Sequence, residues 1–348
     1  MIRAPFPYAG GKRLIAPAVW DALGDCRVYV EPFFGSGAVL LNRPHEPAIE
    51  TINDRDGLLC NVWRAIKLRP LEVAEHADYP VSELDLFARH QWLVHHRESL
   101  SAQLRADPEW CDPKSAGWWI WGASQWIGGG WCTPRESQWQ RRPTTSHADH
   151  GVHIKRPMIA GSNSGKGVCS KLPNLSSGGT GVKRQIPRIH GFGGTGVHGH
   201  ALTGESLQPW FEALSERLRR VRIVSGDFLR VLSPSTLAVE GTNVCGVFLD
   251  PPYSHDLRSA KIYAHDDATA SARARVWAIG HGDDPSLRIV LAGLAGEHEM
   301  PPSWRVVEWT GPAGMGRKSG NRHKERLWLS PHCREIGDGP LFSQEVTA

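Results

Sequence analysis

Apolar and polar positions follow two alternating spacings over the first seventy residues. Apolar side chains at three- and four-residue intervals predict helices over residues 12–23, 36–42 and 56–67, the second of them after a glycine turn. Short apolar runs predict buried strands over residues 27–31 and 48–52. Strands that alternate with helices are typical of a parallel sheet, so the chain is expected to begin with an α/β domain.

The alternation stops near residue 70 and resumes after residue 206. Residues 81–105 fit one long helix or a pair of helices, and the stretch that follows is rich in Trp, Gly, His and Arg without a regular period. An amphipathic pattern over residues 207–220 predicts a helix. Further strands are predicted over residues 221–225, 244–249, 287–291, 305–309 and 326–329.

These patterns predict one α/β domain that is interrupted by an insertion. The expected fold is a Rossmann-like, mostly parallel sheet built from residues 1–69 and 206–334. Residues 70–205 are expected to form the insertion and residues 335–348 a tail. The glycine-rich stretches of the insertion have no fixed period and are interpreted as loops. A small core of the insertion is expected to contain Trp118, Trp119, Trp121, Trp126 and Trp131.

Composition is that of a globular protein. The chain has 348 residues, of which 40% are hydrophobic and 22% charged, so it can bury a sizeable core. No apolar run approaches the length of a membrane span, and residues 1–5 lack the pattern of a signal peptide. The expected location is therefore the cytoplasm, without membrane association.

Charge is distributed unevenly along the chain. The formal net charge is +4, but residues 133–205 contain ten Lys and Arg against three Asp and Glu. A local positive excess of this kind suits a polyanionic partner.

The seven cysteines do not form a recognisable pattern. They are widely separated in the sequence, so neither a disulfide framework nor a CxxC metal site is visible. His147, His150 and His153 near Cys132 and Cys169 are of the residue types that bind zinc. Their spacing matches no standard zinc site, so no metal is predicted.

The densest signal is the glycine turn EPFFGSG at residues 31–37. A Gly-x-Gly turn between a strand and a helix lets a ligand approach the backbone and directs helix amides toward it. A dinucleotide fold would carry a third glycine, and Val39-Leu40 occupies that region instead. The turn therefore fits a nucleotide-like cofactor or a plain strand–turn–helix connection.

Two carboxylates follow predicted strands. Asp54 ends the second strand, where a carboxylate can accept hydrogen bonds from a ribose diol or simply be solvated. Asp250-Pro251-Pro252-Tyr253 follows the strand at 244–249. Prolines leave nearby carbonyls free to accept, so Asp250 and the Pro251 carbonyl could receive both hydrogens of an exocyclic amine. Tyr253 offers a face on which a base could stack.

Five segments in this order resemble the motifs of Dam-like DNA adenine methyltransferases. They are PYAGGK at 7–12, EPFFGSG at 31–37, ND at 53–54, GDF at 226–228 and DPPY at 250–253. The resemblance covers both ends of the split domain, about half the chain. The pattern near the end, RLWLSP at 326–331, is similar to versions carried by phages and prophages.

The resemblance implies a set of site residues. S-adenosylmethionine (SAM) would contact residues of the first motif and of the glycine turn, Asp54 would hold its ribose, and the GDF motif would flank its adenine. The cofactor residues implied are Tyr8, Gly10, Gly11, Lys12, Glu31, Phe33, Gly35, Gly37, Asp54, Asp227 and Phe228. The catalytic residues implied are Asp250, Pro251, Pro252 and Tyr253.

The resemblance also implies a reaction and a partner. The methyl group of SAM would pass to the 6-amino nitrogen of an adenine that is flipped out of double-stranded DNA. The insertion would be the target-recognition region and would supply the DNA contacts. The residues implied for this contact are Arg135, Arg141, Arg142, Lys155, Arg156, Lys183, Arg184 and Arg188.

Two departures and several alternatives remain. The family often has Asp-x-Asn after the second strand, whereas this chain has Asp54-Arg55-Asp56, and the insertion differs from the compact recognition domain of bacterial housekeeping enzymes. Methylation of the 4-amino nitrogen of cytosine uses the same chemistry, although those enzymes more often have Ser in the place of Asp250. A DNA-binding protein that has lost catalysis would keep the fold without an intact DPPY or Gly-x-Gly. A solitary methyltransferase, with neither a nuclease nor an obligatory protein partner, is expected.

Overall fold

The computed structural model describes residues 2–8, 11–80, 82–126, 131–133, 197, 206–238, 243–253, 269–309 and 325–336. Helices within these residues are α1 (Ala16–Leu23), α2 (Gly57–Leu68), α3 (Pro70–Ala77), α4 (Glu83–Ala106), α5 (Pro113–Gln125), α6 (Gln208–Leu218), α7 (Pro234–Leu237) and α8 (Ala270–His281). Two short 3₁₀ helices span Leu40–Asn42 and Phe228–Val231. No described helix is long and apolar enough to cross a membrane.

Seven strands of the described chain form one mixed sheet. They are β1 (Val28–Glu31), β2 (Ile49–Asp54), β3 (Arg222–Ser225), β4 (Cys245–Leu249), β5 (Leu287–Leu294), β6 (Arg305–Trp309) and β7 (Glu325–Leu329). The order across the sheet is β3-β2-β1-β4-β5-β7-β6. The first five strands of this order, β3, β2, β1, β4 and β5, are parallel to one another. Strand β7 is antiparallel to both of its neighbours, β5 and β6. The predicted Rossmann-like, mostly parallel sheet is confirmed.

The core lies on both faces of the sheet because successive side chains of a strand point to opposite faces. On β1, Tyr29 packs into the cluster that contains α1 and α2, whereas Val28 and Val30 pack into the cluster that contains α8. Helices therefore cover both faces. The carboxyl ends of β1, β2, β3 and β4 share one edge of the sheet, which is where open α/β sheets bind ligands.

The predicted strands agree with the structure to within two residues at each end, except that β5 continues three residues beyond its predicted end. Of the two possibilities for residues 81–105, the structure has one long helix, α4 (Glu83–Ala106), which begins at an N-cap: the Ser82 side chain accepts a hydrogen bond from the Asp85 amide. The helix predicted over residues 36–42 is wrong, since only Leu40–Asn42 is helical, as a 3₁₀ turn. Gly35 and Gly37 have φ of 51° and 64°, outside the right-handed helical region, so no helix can begin before residue 38.

Helices α3 and α5 had no counterpart among the predicted elements. Almost every side of α5 is covered, including Trp119, Ile120 and Trp121, so its sequence lacks the polar face that produces a helical period. Residues of α3, α4 and α5 belong to the same apolar cluster as α2 and α6. The first part of the predicted insertion therefore shares a core with the sheet domain, while the limits of the insertion stay a prediction.

The five tryptophans between residues 118 and 131 are packed in the protein interior rather than exposed to solvent. Trp119, Trp121 and Trp126 are less than 9% exposed, and Trp118 and Trp131 are partly buried against apolar clusters. The guanidinium of Arg89 lies 4.3 Å from the Trp121 ring centre. The tryptophans therefore pack in cores, as expected. Trp121 and Trp126 share a small cluster with Leu86, whereas Trp119 belongs to the cluster shared with the sheet domain and not to a separate core of the insertion.

Candidate active site

A cleft opens at the carboxyl ends of β1, β2 and β4. It is lined by eleven of the predicted site residues: Tyr8, Gly11, Lys12, Glu31, Phe33, Gly35, Asp54, Asp227, Phe228, Asp250 and Pro252. Gly37, Pro251 and Tyr253 are buried and do not line the cleft. Gly10 lies outside the described residues. Sheet topology thus brings together motifs that are more than two hundred residues apart in the sequence.

The glycine turn is held by contacts within the protein. A Cβ on Gly35 would lie 2.7 Å from Cε1 of Tyr8, and a Cβ on Gly37 would collide with the Phe34 ring. The Trp63 indole donates a hydrogen bond to the Gly35 carbonyl at 3.0 Å. Because no helix begins at this turn, the expectation that helix amides point to a ligand is wrong. The Gly35 amide instead donates to Oδ2 of Asp54 at 3.0 Å.

Asp54 links the turn to the start of α2. Its Oδ1 accepts from the Asp56 amide at 2.9 Å, while Oδ2 accepts from Gly35. Burial raises the pKa of the Asp54 carboxyl to about 6, and these amide hydrogen bonds oppose the rise only in part. The carboxylate lines the cleft and is fixed in place by backbone donors.

Glu31 contributes a second carboxylate at the end of β1. It is 2% exposed and accepts a hydrogen bond from the Tyr29 hydroxyl at 2.9 Å. Burial raises the pKa of Glu31 well above its ordinary value, and the negative charge of Asp250 raises it further. The floor of the cleft therefore disfavours additional negative charge and favours a cationic ligand.

One end of the cleft is aromatic. The rings of Phe33 and Phe228 lie 4.9 Å apart, inclined by 32°. Asp227 is next to Phe228 in the sequence, and its carboxylate accepts hydrogen bonds from the two terminal guanidinium nitrogens of Arg273, Nη1 at 2.9 Å and Nη2 at 3.0 Å. The hydrogen bond from Arg273 lowers the pKa of Asp227. Arg273 lies on α8, outside every motif, so nothing in the sequence marked it as part of the site.

The other end contains the DPPY motif. Nζ of Lys12 lies 2.9 Å from Oδ1 of Asp250 and donates to the Tyr253 hydroxyl at 2.9 Å. The Tyr253 hydroxyl donates in turn to Oε2 of Glu325 at 2.8 Å. Lys12 and Glu325 are 4% and 0% exposed. The first and fifth motifs are thus joined by an ion pair. Glu325 was missed because it is a lone carboxylate at the start of a strand.

Asp56, the residue that departs from the family pattern, has a structural partner. Its Oδ1 caps α2 by accepting from the Leu58 amide and pairs with Nη1 of Arg97 at 2.6 Å. Nη2 of the same guanidinium donates to the Cys132 carbonyl. An aspartate at this position therefore provides the charge that a buried arginine requires, which an asparagine would not.

The predicted DNA contacts stay a prediction. Arg135, Arg141, Arg142, Lys155, Arg156, Lys183, Arg184 and Arg188 all lie outside the described residues, as do His147, His150, His153 and Cys169. Among the residues that the structure describes, no group of three His, Cys, Asp or Glu side chains could hold a metal ion.

Comparison with known proteins supports the same class of site. Residues 8–108 match the family model for D12 class N6 adenine-specific DNA methyltransferases, a segment that includes the first three motifs and the lining residues from Tyr8 to Asp56. The resemblance drawn from the motifs is confirmed, and adenine is supported over cytosine and over loss of catalysis. No curated protein matches the chain. The similarity to phage and prophage versions stays a prediction.

Proposed function

We propose that this chain, which carries a D12 class N6 adenine-specific DNA methyltransferase domain, uses the cleft to bind SAM and methylates a specific adenine in double-stranded DNA. One observation carries the proposal. The ion pair between Lys12 and Asp250 places the carboxylate of the DPPY motif in the same cleft as the glycine turn. Cofactor residues and reaction residues therefore border one space.

The lining of the cleft fits SAM in chemistry. Glu31 and Asp250 supply negative charge for a cationic sulfonium, and Asp54 supplies a fixed acceptor for the ribose hydroxyls. Phe33 and Phe228 supply an apolar surface for an adenine ring. When bound, SAM would provide an electrophilic methyl group on a positively charged sulfur.

Asp250 and the Pro251 carbonyl then prepare the nucleophile. The lone pair of an adenine amine is delocalised into the ring, so the amine is a poor nucleophile. Two acceptors that receive its two hydrogens favour a pyramidal nitrogen and stabilise the positive charge that develops on it. The ion pair between Oδ1 of Asp250 and Lys12 holds the carboxylate in place for this role. A proton can leave after the new bond has formed.

The target base must leave the helical stack to reach this cleft. Extrusion costs a few kcal/mol, and stacking on an aromatic side chain returns about 1–3 kcal/mol. We assign the stacking role to Tyr253. Its ring is 6% exposed, so an incoming base must displace neighbouring side chains to contact it.

The test is methylation of unmethylated duplex DNA with tritiated SAM, followed by digestion to nucleosides and identification of the labelled base. We expect label in 6-methyladenine, and we expect Asp250→Ala to abolish it while SAM binding is weakened, through the loss of one carboxylate, but not lost. Asp21→Ala, which removes an exposed carboxylate from α1, is the control and should methylate like the unsubstituted chain.

Each alternative gives a different result in this assay. Label in 4-methylcytosine would keep the mechanism and overturn the base. Full labelling by Asp250→Ala would overturn the role of the DPPY carboxylate. SAM binding without label in DNA, at high protein concentration and with mixed-sequence DNA, would overturn the proposed substrate.

A further inference from the structure

A buried chain of polar groups extends from the reaction end of the cleft into the sheet. It begins at Asp250, passes through the Lys12 ammonium and the Tyr253 hydroxyl, and ends at Glu325. Its three successive contacts measure 2.9, 2.9 and 2.8 Å. The exposed fraction of the side chain falls from 20% at Asp250 to 4% at Lys12, and Glu325 is fully buried.

The chemistry of these groups fixes the direction of the chain. A tyrosine hydroxyl has one hydrogen, and here it is donated to the carboxylate of Glu325. The oxygen of Tyr253 must therefore act as an acceptor toward Lys12, whose ammonium can only donate. Glu325 thus determines which way the hydroxyl of Tyr253 points, and through it where Lys12 rests.

Glu325 is itself a rigid anchor. It begins β7, where its backbone pairs with Leu294 on β5 and with Trp309 on β6. A residue flanked by two strands of a sheet has little freedom to move. The carboxylate is consequently held at a fixed distance from β4, the strand after which Asp250 and Tyr253 follow.

The charges of the hydrogen-bonded groups from Asp250 to Glu325 also favour this arrangement. One buried ammonium lies within a network that contains two carboxylates, Asp250 and Glu325. An ammonium has three hydrogens to donate, so a Lys12 that contacted Asp250 alone could shift toward another acceptor. A second carboxylate, reached through Tyr253, fixes the position of the ammonium, so that Lys12 engages one oxygen of Asp250 at the wall of the cleft.

We propose that Glu325 is a positioning residue for methyl transfer, which acts through the Tyr253 hydroxyl and Lys12 to orient the Asp250 carboxylate. The inference rests on the proposed function. Glu325 lies at the far end of this network, and Lys12 and Tyr253 stand between it and Asp250. Its removal should therefore affect the rate of transfer and leave ligand binding largely unchanged.

The test is a double-mutant cycle of Glu325→Gln and Tyr253→Phe, measured as kcat and KM for 6-methyladenine formation. Glutamine keeps the size of Glu325 and removes its charge, and phenylalanine keeps the ring of Tyr253 and removes its hydroxyl. Since hydrogen bonds to charged groups are the strong ones, we expect each variant to lower kcat roughly 10- to 100-fold, with KM values changed less than about threefold. The double variant should be no slower than Tyr253→Phe alone, because both changes break the same path.

Glu308→Gln is the matched control. Glu308 lies on the neighbouring strand β6, pairs with Arg326 and is 42% exposed on its side chain. Its substitution also removes a carboxylate from the antiparallel part of the sheet, so it reports any general effect of charge loss there. We expect the kcat of Glu308→Gln to stay within about twofold of the unsubstituted chain.

The possible failures can be told apart. If the unsubstituted chain forms no 6-methyladenine, the proposed function and this inference fall together. If it does, and Glu325→Gln keeps kcat within about twofold, this inference alone is overturned. Multiplied losses in the double variant would indicate two independent structural effects and overturn it as well. If Glu325→Gln does not fold by circular dichroism, the kcat of Tyr253→Phe decides by the same limits.

Discussion

At the scale of single residues, the turn after β1 is shaped by its aromatic neighbours. Gly35 has φ of 51°, and the Tyr8 ring occupies the space into which a side chain would extend. The Gly35 amide is also the donor that holds Asp54. One glycine therefore joins the first motif, the turn and the ribose-binding candidate.

Gly35→Ala should destabilise the protein and weaken SAM binding. The left-handed backbone alone costs about 1–2 kcal/mol for a residue with a Cβ, and the contact with Tyr8 adds to it. The measurement is the free energy of unfolding from urea titration, with the SAM Kd from calorimetry. Gly280→Ala is the control, since no atom lies within 4 Å of a Cβ there and its place in α8 predicts stabilisation by about 0.5–1 kcal/mol. Equal stability of the two alanine variants would contradict the prediction.

Asp54 predicts a pH dependence of SAM binding. Its pKa is raised to about 6, and an ionised carboxylate is the better acceptor for ribose hydroxyls. The SAM Kd should therefore fall as pH rises from 5 to 7, and Asp54→Asn should flatten this part of the profile. The effect on folding has the opposite sign. Because folding raises this pKa, the contribution of Asp54 to stability is full below its unfolded pKa of about 3.9 and is lost as pH rises through about 6.

A Kd profile that keeps its slope in Asp54→Asn would assign the titration to another group. Glu31 is the first candidate, because burial raises its pKa as well. Calorimetry at each pH in two buffers of different ionisation enthalpy would count the protons that are taken up or released. One proton per SAM that disappears in the Asn variant is the expected result.

The residues that could be predicted from sequence are those whose chemistry is written in a short motif. Gly35 and Asp250 stand beside a glycine or prolines that mark a turn at a strand end, and Asp54 is the carboxylate that ends a predicted strand. Arg273 and Glu325 gave no such signal, because each acts on a partner more than forty residues away through a side chain that is common on any surface. Their roles appear only when the sheet brings them to the cleft.

At the scale of elements, α4 connects the cleft to the segment that follows α5. Arg89 and Arg97 occupy buried positions of this helix where an apolar residue would be expected. The guanidinium of Arg97 bridges the Asp56 carboxylate at the start of α2 and the Cys132 carbonyl. Two helices and a loop are therefore held by one buried cation.

Asp56→Asn should show that this cation needs a charged partner. Asparagine keeps the N-cap of α2 but leaves the buried Arg97 without its carboxylate, so we expect a loss of about 2–3 kcal/mol in the free energy of unfolding. Asp112→Asn is the matched control. Asp112 caps α5 and makes no ion pair within the described part of the chain, so its loss should stay below about 0.5 kcal/mol. Similar losses in both variants would assign the effect to capping.

Elements were predictable where apolar positions form a short uninterrupted run or recur at helical intervals. Strands β1 and β4, which are buried at every position, are of the first kind, and α4 is of the second; each was expected within a few residues. The helix α5 was not, because it is buried on nearly all sides. The turn at residues 35–37 was misread as a helix start, since a glycine pattern alone does not reveal that both φ angles are positive.

At the scale of the whole molecule, the basic residues between 135 and 188 should govern affinity for DNA but not for SAM. We expect replacement of Arg135, Arg141, Arg142, Lys155, Arg156, Lys183, Arg184 and Arg188 by Ser to weaken DNA binding by at least about tenfold. Each phosphate contact that is lost should also reduce the slope of log K against log salt by about 1. The measurement is fluorescence anisotropy at several salt concentrations. An unchanged slope would place the DNA-binding surface elsewhere.

The order of strands has a consequence for how the protein is made. The central pair β1 and β4 joins residues that leave the ribosome roughly two hundred positions apart, which at about 5–20 residues per second is about 10–40 s of translation. During that interval β1 and β2 have already been synthesised, but the edge of β1 that pairs with β4 has no partner. An unpaired apolar edge invites association with other nascent chains. Slower growth at low temperature, or co-expression of a chaperone that holds extended apolar segments, should therefore raise the yield of folded enzyme more than a stronger promoter would.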